Sequence, residues 1–155
     1  SLRNFFKELM GWRFIQEKGV KISVLGKWYD LPANIVDDIK KVMSSTRDYD
    51  SYFVNLCINY DGRSEIVDAC KMIARQVRSD KLDIEAIDHE SIKENLYSSY
   101  FPPPDLLIKT GLKPKTNGFL LWDSAYSKIH FTGKRWPEFG KNDLYKAILR
   151  YQDKI

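Results

Sequence analysis

The sequence predicts an α/β fold in which a mainly parallel sheet is flanked by helices. Two observations support this prediction. Short runs of β-branched and apolar residues alternate with longer segments that have the apolar spacing of a helix, and turn residues separate the two kinds of segment. Parallel strands need a long crossover between them, and these helical segments provide it. The predicted strands are residues 20–26, 52–59 and 105–110.

Amphipathic helices are predicted where apolar residues recur every three to four positions. Pro32 suits the first turn of one helix, and the prolines at 102–104 must end another because proline lacks the N–H that a helix donates. A tight turn at 60–63 leads into the third helix. That helix is expected to bury Ile66, Ala69, Cys70, Ile73, Ala74 and Val77. The other predicted helices are 2–17, 32–44, 84–98 and 142–154.

The length of 155 residues suits a single domain over residues 1–155. With 43% hydrophobic residues, a chain of this size can bury about 68–70% of its unfolded surface, which excludes a disordered or collagen-like protein. Apolar runs stay far below the roughly 20 residues that cross a bilayer, so no transmembrane helix is expected. The first residues show no basic segment followed by an apolar one, so no secretion signal is expected.

Charge and cysteine content narrow the class of protein further. Lys and Arg number 25 against 21 Asp and Glu, which gives a net charge of +4. Because both signs are mixed along the chain, the excess favours an anionic ligand and not nucleic acid, which needs a continuous basic face. Cys57 and Cys70 lie among apolar residues without CxxC spacing. We expect both to be buried free thiols, as is usual in a cytoplasmic protein.

A ligand site is expected after the strands, because open parallel sheets bind ligands at the carboxyl ends of their strands. These positions are Gly26, 60–63 and 110–118. The segment 109–118 contains three lysines, two glycines and no acidic residue, a composition that suits phosphate binding. A helix beginning at Phe119 would add free amides that favour an anion. A solvated basic loop is the alternative interpretation.

Several motifs occur in a fixed order along the chain. They are NYDGRSEI at 59–66, PDLLIKTG at 104–111, FLLW at 119–122, AYS at 125–127 and WPEF at 136–139. This order resembles the cis-prenyltransferases, the undecaprenyl diphosphate synthase family. The resemblance implies that family's α/β fold without its N-terminal third. It also implies a transferase that condenses isopentenyl diphosphate with an allylic diphosphate, such as farnesyl diphosphate, to make a (Z)-polyprenyl diphosphate.

The resemblance also implies site residues. Lys109 and Lys115 stand where the family has arginines that bind isopentenyl diphosphate, and Asn117 stands where it has a serine with the same role. A lysine keeps the charge but lacks the planar fork that binds phosphate through two hydrogen bonds, so weaker binding is expected. Auxiliary roles are expected for Lys113, Lys128, Arg63 and Gly111. No residue of this chain is assigned as catalytic.

The family resemblance implies Mg²⁺, yet one metal position differs in this chain. Lys128 stands where the family has a glutamate that helps to hold the metal. Because Mg²⁺ takes oxygen ligands, a lysine cannot replace that glutamate, and no metal ligand is identified. Either the Lys128 ammonium neutralises a diphosphate in place of the metal, or the metal-dependent chemistry is lost. The third interpretation is a solvated helix residue.

Two explanations for the absent motifs stay open. The family's D-G-N-(R/G)-R-W segment, which holds metal and the allylic diphosphate, does not occur among the 155 residues. The chain is then either a fragment of a longer enzyme or a non-catalytic, partner-dependent subunit of a heteromeric cis-prenyltransferase. The resemblance also implies a homodimer, or a heterodimer with a related subunit. We expect a cytoplasmic protein that contacts membranes peripherally through its lipid product.

Overall fold

The computed structural model describes residues 1–152, and the chain divides into two compact units, Ser1–Tyr60 and Asp61–Ile155. Each unit contains one parallel pair of strands together with helices. The predicted α/β class is therefore confirmed. The single sheet that the sequence predicted is, over residues 1–152, two separate two-stranded sheets. In that part of the chain, no helix is long and apolar enough to cross a membrane.

The first unit places two strands beside three helices. Its elements are α1 (Leu2–Gly11), α2 (Arg13–Glu17), β1 (Val20–Leu25), α3 (Ala33–Ser45) and β2 (Tyr52–Cys57). β1 and β2 pair in parallel from Val20 opposite Tyr52 to Leu25 opposite Cys57. One apolar side of each helix and of β1 forms the core. The core residues are Phe6, Leu9, Ile15, Val20, Ile22, Val24, Ile39 and Val42.

The predicted helix over 2–17 is two helices in the structure. Gly11 is a poor helix former and is the last residue of α1. Trp12 then takes an extended backbone with φ −75° and ψ 107°, and α2 begins at Arg13. The break turns Ile15 into the core beside Phe6 and Leu9. Apolar spacing alone did not reveal it, because both pieces carry the same periodicity.

The second unit has the element order helix, helix, strand, strand, helix. These elements are α4 (Gly62–Arg78), α5 (His89–Glu94), β3 (Leu106–Thr110), β4 (Lys128–Thr132) and α6 (Lys141–Gln152). β3 and β4 pair in parallel from Leu106 opposite Lys128 to Thr110 opposite Thr132. The end predicted for the last helix, 153–154, lies outside the described residues.

Two helix predictions for this unit are wrong. The helix predicted over 84–98 is a short 3₁₀ turn at Ile84–Ala86 followed by α5, because the Asp88 capping box starts a new helix. No helix begins at Phe119, since Leu120 has a φ of 46° that an α-helix does not allow. A 3₁₀ turn at Asp123–Tyr126 follows instead, and β4, which is not among the predicted strands, begins at Lys128.

The buried side of α4 is narrower than predicted. Ala69 and Ile73 are buried, but Cys70 and Ala74 are exposed. The prediction of a buried Cys70 is therefore wrong, because packing covers only one row of residues along this helix. Cys57 is half-buried, and neither cysteine forms a disulfide with another described residue.

Candidate functional site

The basic loop begins where β3 and β4 end together. Gly111 follows the last residue of β3 and has a φ of 121°, a conformation that side chains rarely adopt. Its N–H donates to the carbonyls of Thr132 and Lys134 at 3.1 and 2.8 Å. The start of the loop is thus fixed to the end of β4, and glycine is required there for its backbone. This is the structural role of the glycine that the sequence named as an auxiliary residue.

Three lysines give this loop a positive charge that is not neutralised by nearby carboxylates. Lys109 is half-buried on β3, whereas Lys113 and Lys115 are exposed. Over residues 1–152, none of the three forms an ion pair. Ammonium groups without a partner are available to bind an anion, and each supplies up to three N–H donors.

The far end of the loop packs against the first residue of α4. A Cβ atom added at Gly62 would lie 2.1 Å from the carbonyl oxygen of Gly118 and 3.0 Å from the Cβ of Leu121. Only a glycine lets the backbones of α4 and the loop approach so closely. The structure therefore joins the NYDGRSEI motif to the loop inside the second unit. Asn117 lies exposed at this end with a φ of 52°.

The N-terminus of α4 is capped by Asp61. Its carboxylate accepts hydrogen bonds from the N–H and the hydroxyl of Ser64, both at 2.9 Å. The hydrogen bond from the Ser64 N–H, assisted by the hydroxyl, lowers the pKa of Asp61 below its usual value of 3.8. Arg63 is exposed in the first turn beside this cap, and no described residue bonds to its side chain. A guanidinium is therefore available next to the end of the basic loop.

Lys128 does not join the basic loop in this chain. Lys128 begins β4 opposite Leu106, whereas the loop begins after Thr110, which pairs with Thr132. The two ends of this strand pair are four residues apart, which corresponds to about 13 Å along the sheet. The Lys128 ammonium donates to the Tyr151 carbonyl at 3.2 Å and lies 4.8 Å from the centre of that ring. Lys128 is thus a strand residue tied to α6, and not the solvated helix residue considered above.

The residues of this loop do not fit a magnesium ion. Mg²⁺ requires oxygen ligands in octahedral geometry and is usually held by carboxylates, whereas the side chains of the loop offer ammonium groups, two threonine hydroxyls and one amide but no carboxylate. Within residues 1–152, no three His, Cys, Asp or Glu side chains are grouped so that they could hold a metal ion. The structure therefore offers no step that passes through a metal held by these residues.

One buried ion pair near this loop was missed in the sequence analysis. Lys93 of α5 contacts Asp123, the residue that opens the 3₁₀ turn after the loop. The two residues are 30 positions apart, so no local spacing links them. A lysine on a short helix and an aspartate after a tryptophan are each ordinary surface residues in sequence.

Comparison with known proteins decides the family. The sequence model of a family described as "Putative undecaprenyl diphosphate synthase" matches residues 1–155. This chain belongs to that family. Among its relatives, two archaeal proteins carry the name tritrans,polycis-undecaprenyl-diphosphate synthase (geranylgeranyl-diphosphate specific). The Thermoplasma acidophilum protein is 38% identical over 149 residues, and the Pyrococcus horikoshii protein is 41% identical over 147 residues.

These alignments cover 96% and 95% of this chain but only 58% and 56% of the two relatives. The chain thus spans a little over half the length of the curated relatives it matches. Solved structures agree on the fold. Lavandulyl diphosphate synthase from Lavandula x intermedia, in complex with dimethylallyl diphosphate, has a TM-score of 0.91 at 25% identity and is matched over 97% of this chain and 65% of its own.

A second structure, of a probable undecaprenyl diphosphate synthase from Campylobacter jejuni, has a TM-score of 0.73 at 26% identity, over 97% of this chain and 71% of its own. The fold that the motifs implied is therefore confirmed by structural likeness as well as by sequence.

Proposed function

We propose that this chain functions in cis-prenyl transfer, the condensation of isopentenyl diphosphate with an allylic diphosphate to give a (Z)-polyprenyl diphosphate. One observation supports the proposal most strongly. A loop with three lysines, none in an ion pair among the described residues, packs closely against the N-terminus of α4, in a chain that the family matches from end to end. Such a loop is suited to a diphosphate, which carries several negative charges.

In this proposal the loop binds and orients isopentenyl diphosphate. Lys109 and Lys115 neutralise phosphate charge, and the amide of Asn117 donates to a phosphate oxygen. Arg63 and Lys113 add positive charge near the two ends of the loop. Gly111 keeps the backbone turn that starts it. The loop contributes to the rate by holding the substrate in a reactive position, which removes the entropy cost of meeting the second substrate.

The bond changes follow the chemistry of prenyl transfer. The allylic C–O bond breaks, and its electron pair leaves on the allylic diphosphate. The double bond of isopentenyl diphosphate supplies the electron pair of the new C–C bond, and the intermediate then loses a proton. Positive groups around the diphosphates stabilise the negative charge that develops on the leaving group.

Substrate choice and assembly complete the proposal. The two archaeal relatives are named as specific for geranylgeranyl diphosphate, so that compound is proposed as an allylic substrate. Farnesyl diphosphate, which the family resemblance implies, is proposed as a second one. Mg²⁺ dependence, a dimer with an identical or related subunit, a cytoplasmic location and peripheral membrane contact are proposed for the whole protein. The alternative of a non-catalytic subunit is not favoured, because the relatives are named as enzymes.

Binding of isopentenyl diphosphate to the 155-residue chain, measured by calorimetry, tests this role of the loop. Each of Lys109→Gln and Lys115→Gln should weaken binding about tenfold or more, because each removes a charged hydrogen bond worth roughly 1.5–3 kcal/mol. Lys146→Gln removes the same charge from an exposed position on α6 and should leave the dissociation constant unchanged. Equal affinity in all four proteins would contradict the proposal.

Incorporation of labelled isopentenyl diphosphate tests the reaction itself. The chain is supplied with farnesyl or geranylgeranyl diphosphate, with and without Mg²⁺, and product is expected in at least one combination. Binding without incorporation would show that the loop works as proposed while the chemistry needs residues from a longer chain or from a partner subunit.

A further inference from the structure

Lys93 and Asp123 form a buried ion pair in the second unit. The Lys93 ammonium donates to both carboxylate oxygens of Asp123 at 2.9 and 2.8 Å. It also donates to the carbonyl of Ser98 at 2.9 Å, and the Ser98 hydroxyl donates to the same carboxylate. The exposed fractions of the two charged side chains are 14% for Lys93 and 4% for Asp123. All three N–H groups of the Lys93 ammonium are therefore directed to defined acceptor atoms.

A second contact joins the same two segments. His89 lies one helical turn before Lys93 on α5, and its ring centre is 6.1 Å from that of Trp122. Residues four apart on a helix share one face. His89 thus contacts Trp122, and Lys93, one turn later on the same face of α5, contacts the next residue, Asp123. A helix of only six residues is fixed to this segment by side chains rather than by its own length.

The segment held by α5 follows the basic loop, because Trp122 and Asp123 lie four and five residues after Gly118. The start of that loop is fixed by the hydrogen bonds of Gly111 to the end of β4. Between these two points, Lys113 and Lys115 are exposed and have no ion pair with any of residues 1–152. The position of the lysines therefore depends on how firmly both ends of the loop are held.

We propose that Lys93 and Asp123 are positioning residues for the basic loop: they fix the segment that directly follows its carboxyl end and so help to determine where its cationic groups meet a diphosphate. This inference rests on the proposed function for the identity of the diphosphate. A buried ion pair adds little net stability compared with apolar residues of similar size, because both charges must be desolvated. What the pair supplies is a defined geometry at one end of the loop.

The test replaces the pair by apolar residues in Lys93→Met/Asp123→Leu. Hydrogen exchange is measured for residues 112–122, and the dissociation constant of isopentenyl diphosphate is measured in parallel. We expect exchange in 112–122 to become at least tenfold faster and binding to become at least fivefold weaker. Arg3→Met/Asp38→Leu removes a pair with an equally buried aspartate from the first unit and should change neither value.

A change in the unfolding midpoint alone, with loop exchange and binding as in the parent chain, would overturn the inference. If the apolar variant does not fold, as judged by circular dichroism, the same measurements are made on Asp123→Glu. That variant keeps both charges but moves the carboxylate by one methylene, so faster loop exchange and weaker binding are again expected, and unchanged values would refute the inference. If the parent chain binds no isopentenyl diphosphate, the proposed function fails, and loop exchange alone decides the positioning role.

Discussion

Replacing Gly62 by alanine should disturb the contact between α4 and the basic loop. The added Cβ would lie 2.1 Å from the Gly118 carbonyl oxygen, whereas ordinary contact begins at 3.4 Å. The two groups must therefore separate by 1.3 Å. The Cβ of Leu121 at 3.0 Å and its N atom at 3.1 Å block the simplest adjustment of the helix. We expect the loop to move, because it is exposed over 112–115.

The free energy of unfolding should fall by about 1–2 kcal/mol in Gly62→Ala. Adding a methyl group to a closely packed site costs about 1–3 kcal/mol, and the higher helix propensity of alanine returns at most about 1 kcal/mol. Binding of isopentenyl diphosphate should weaken as well, because a displacement of about 1 Å takes a donor out of the distance range of a hydrogen bond.

Urea unfolding and calorimetry check both expectations. Gly133→Ala is the matched control, because no atom lies within 4 Å of its added Cβ and its backbone is in an ordinary conformation. If Gly62→Ala and Gly133→Ala unfold at the same urea concentration and bind isopentenyl diphosphate equally, the close packing of Gly62 against Gly118 is refuted.

Three further predictions concern the site, the core and the helix cap. Lys109→Arg and Lys115→Arg should tighten isopentenyl diphosphate binding in calorimetry, because a guanidinium makes two parallel hydrogen bonds to phosphate, and equal affinity would contradict this geometric reason. Phe6→Ala should cost about 3–5 kcal/mol in urea unfolding, since Phe6 is fully buried, whereas Phe14→Ala, at a ring that is 60% exposed, should cost far less. Asp61 has a folded-state pKa below 3.8, so its contribution is complete above pH about 4 and is lost as the pH falls through that lower pKa. Asp61→Asn keeps a cap without a charge, and its thermal midpoint should fall less between pH 5 and pH 2 than that of the parent chain; equal losses would contradict the role of this carboxylate.

Local sequence was sufficient for three of the four strands and for the helices α3, α4 and α6. β1, β2 and β3 lie within the predicted segments, because a run of β-branched residues between turn residues favours a strand wherever it packs. α3 starts directly after Pro32 for a similarly local reason, the fixed backbone of proline. The motif order also identified the family, since those motifs are carried by short contiguous segments.

The break at Trp12 and the absence of a helix at Phe119 were decided by tertiary structure. In both places the apolar spacing agrees with a helix, but an extended backbone at Trp12 and positive φ angles at Asn117 and Leu120 end it. These conformations are held by packing that a periodic pattern does not record. The proposed anion site therefore consists of side-chain charges and α4, without the second helix N-terminus expected from the sequence.

By itself, the sequence determined the family, the α/β class and the basic composition of the loop. Only the tertiary structure decided which residues lie close to this loop and which lie away from it. Gly62 touches Gly118, Lys93 pairs with Asp123, and Lys128 lies at the other end of the β3–β4 pair. The reason is physical: propensity and charge belong to a residue and its near neighbours, whereas these contacts depend on how distant segments return to one another and which strand register they adopt.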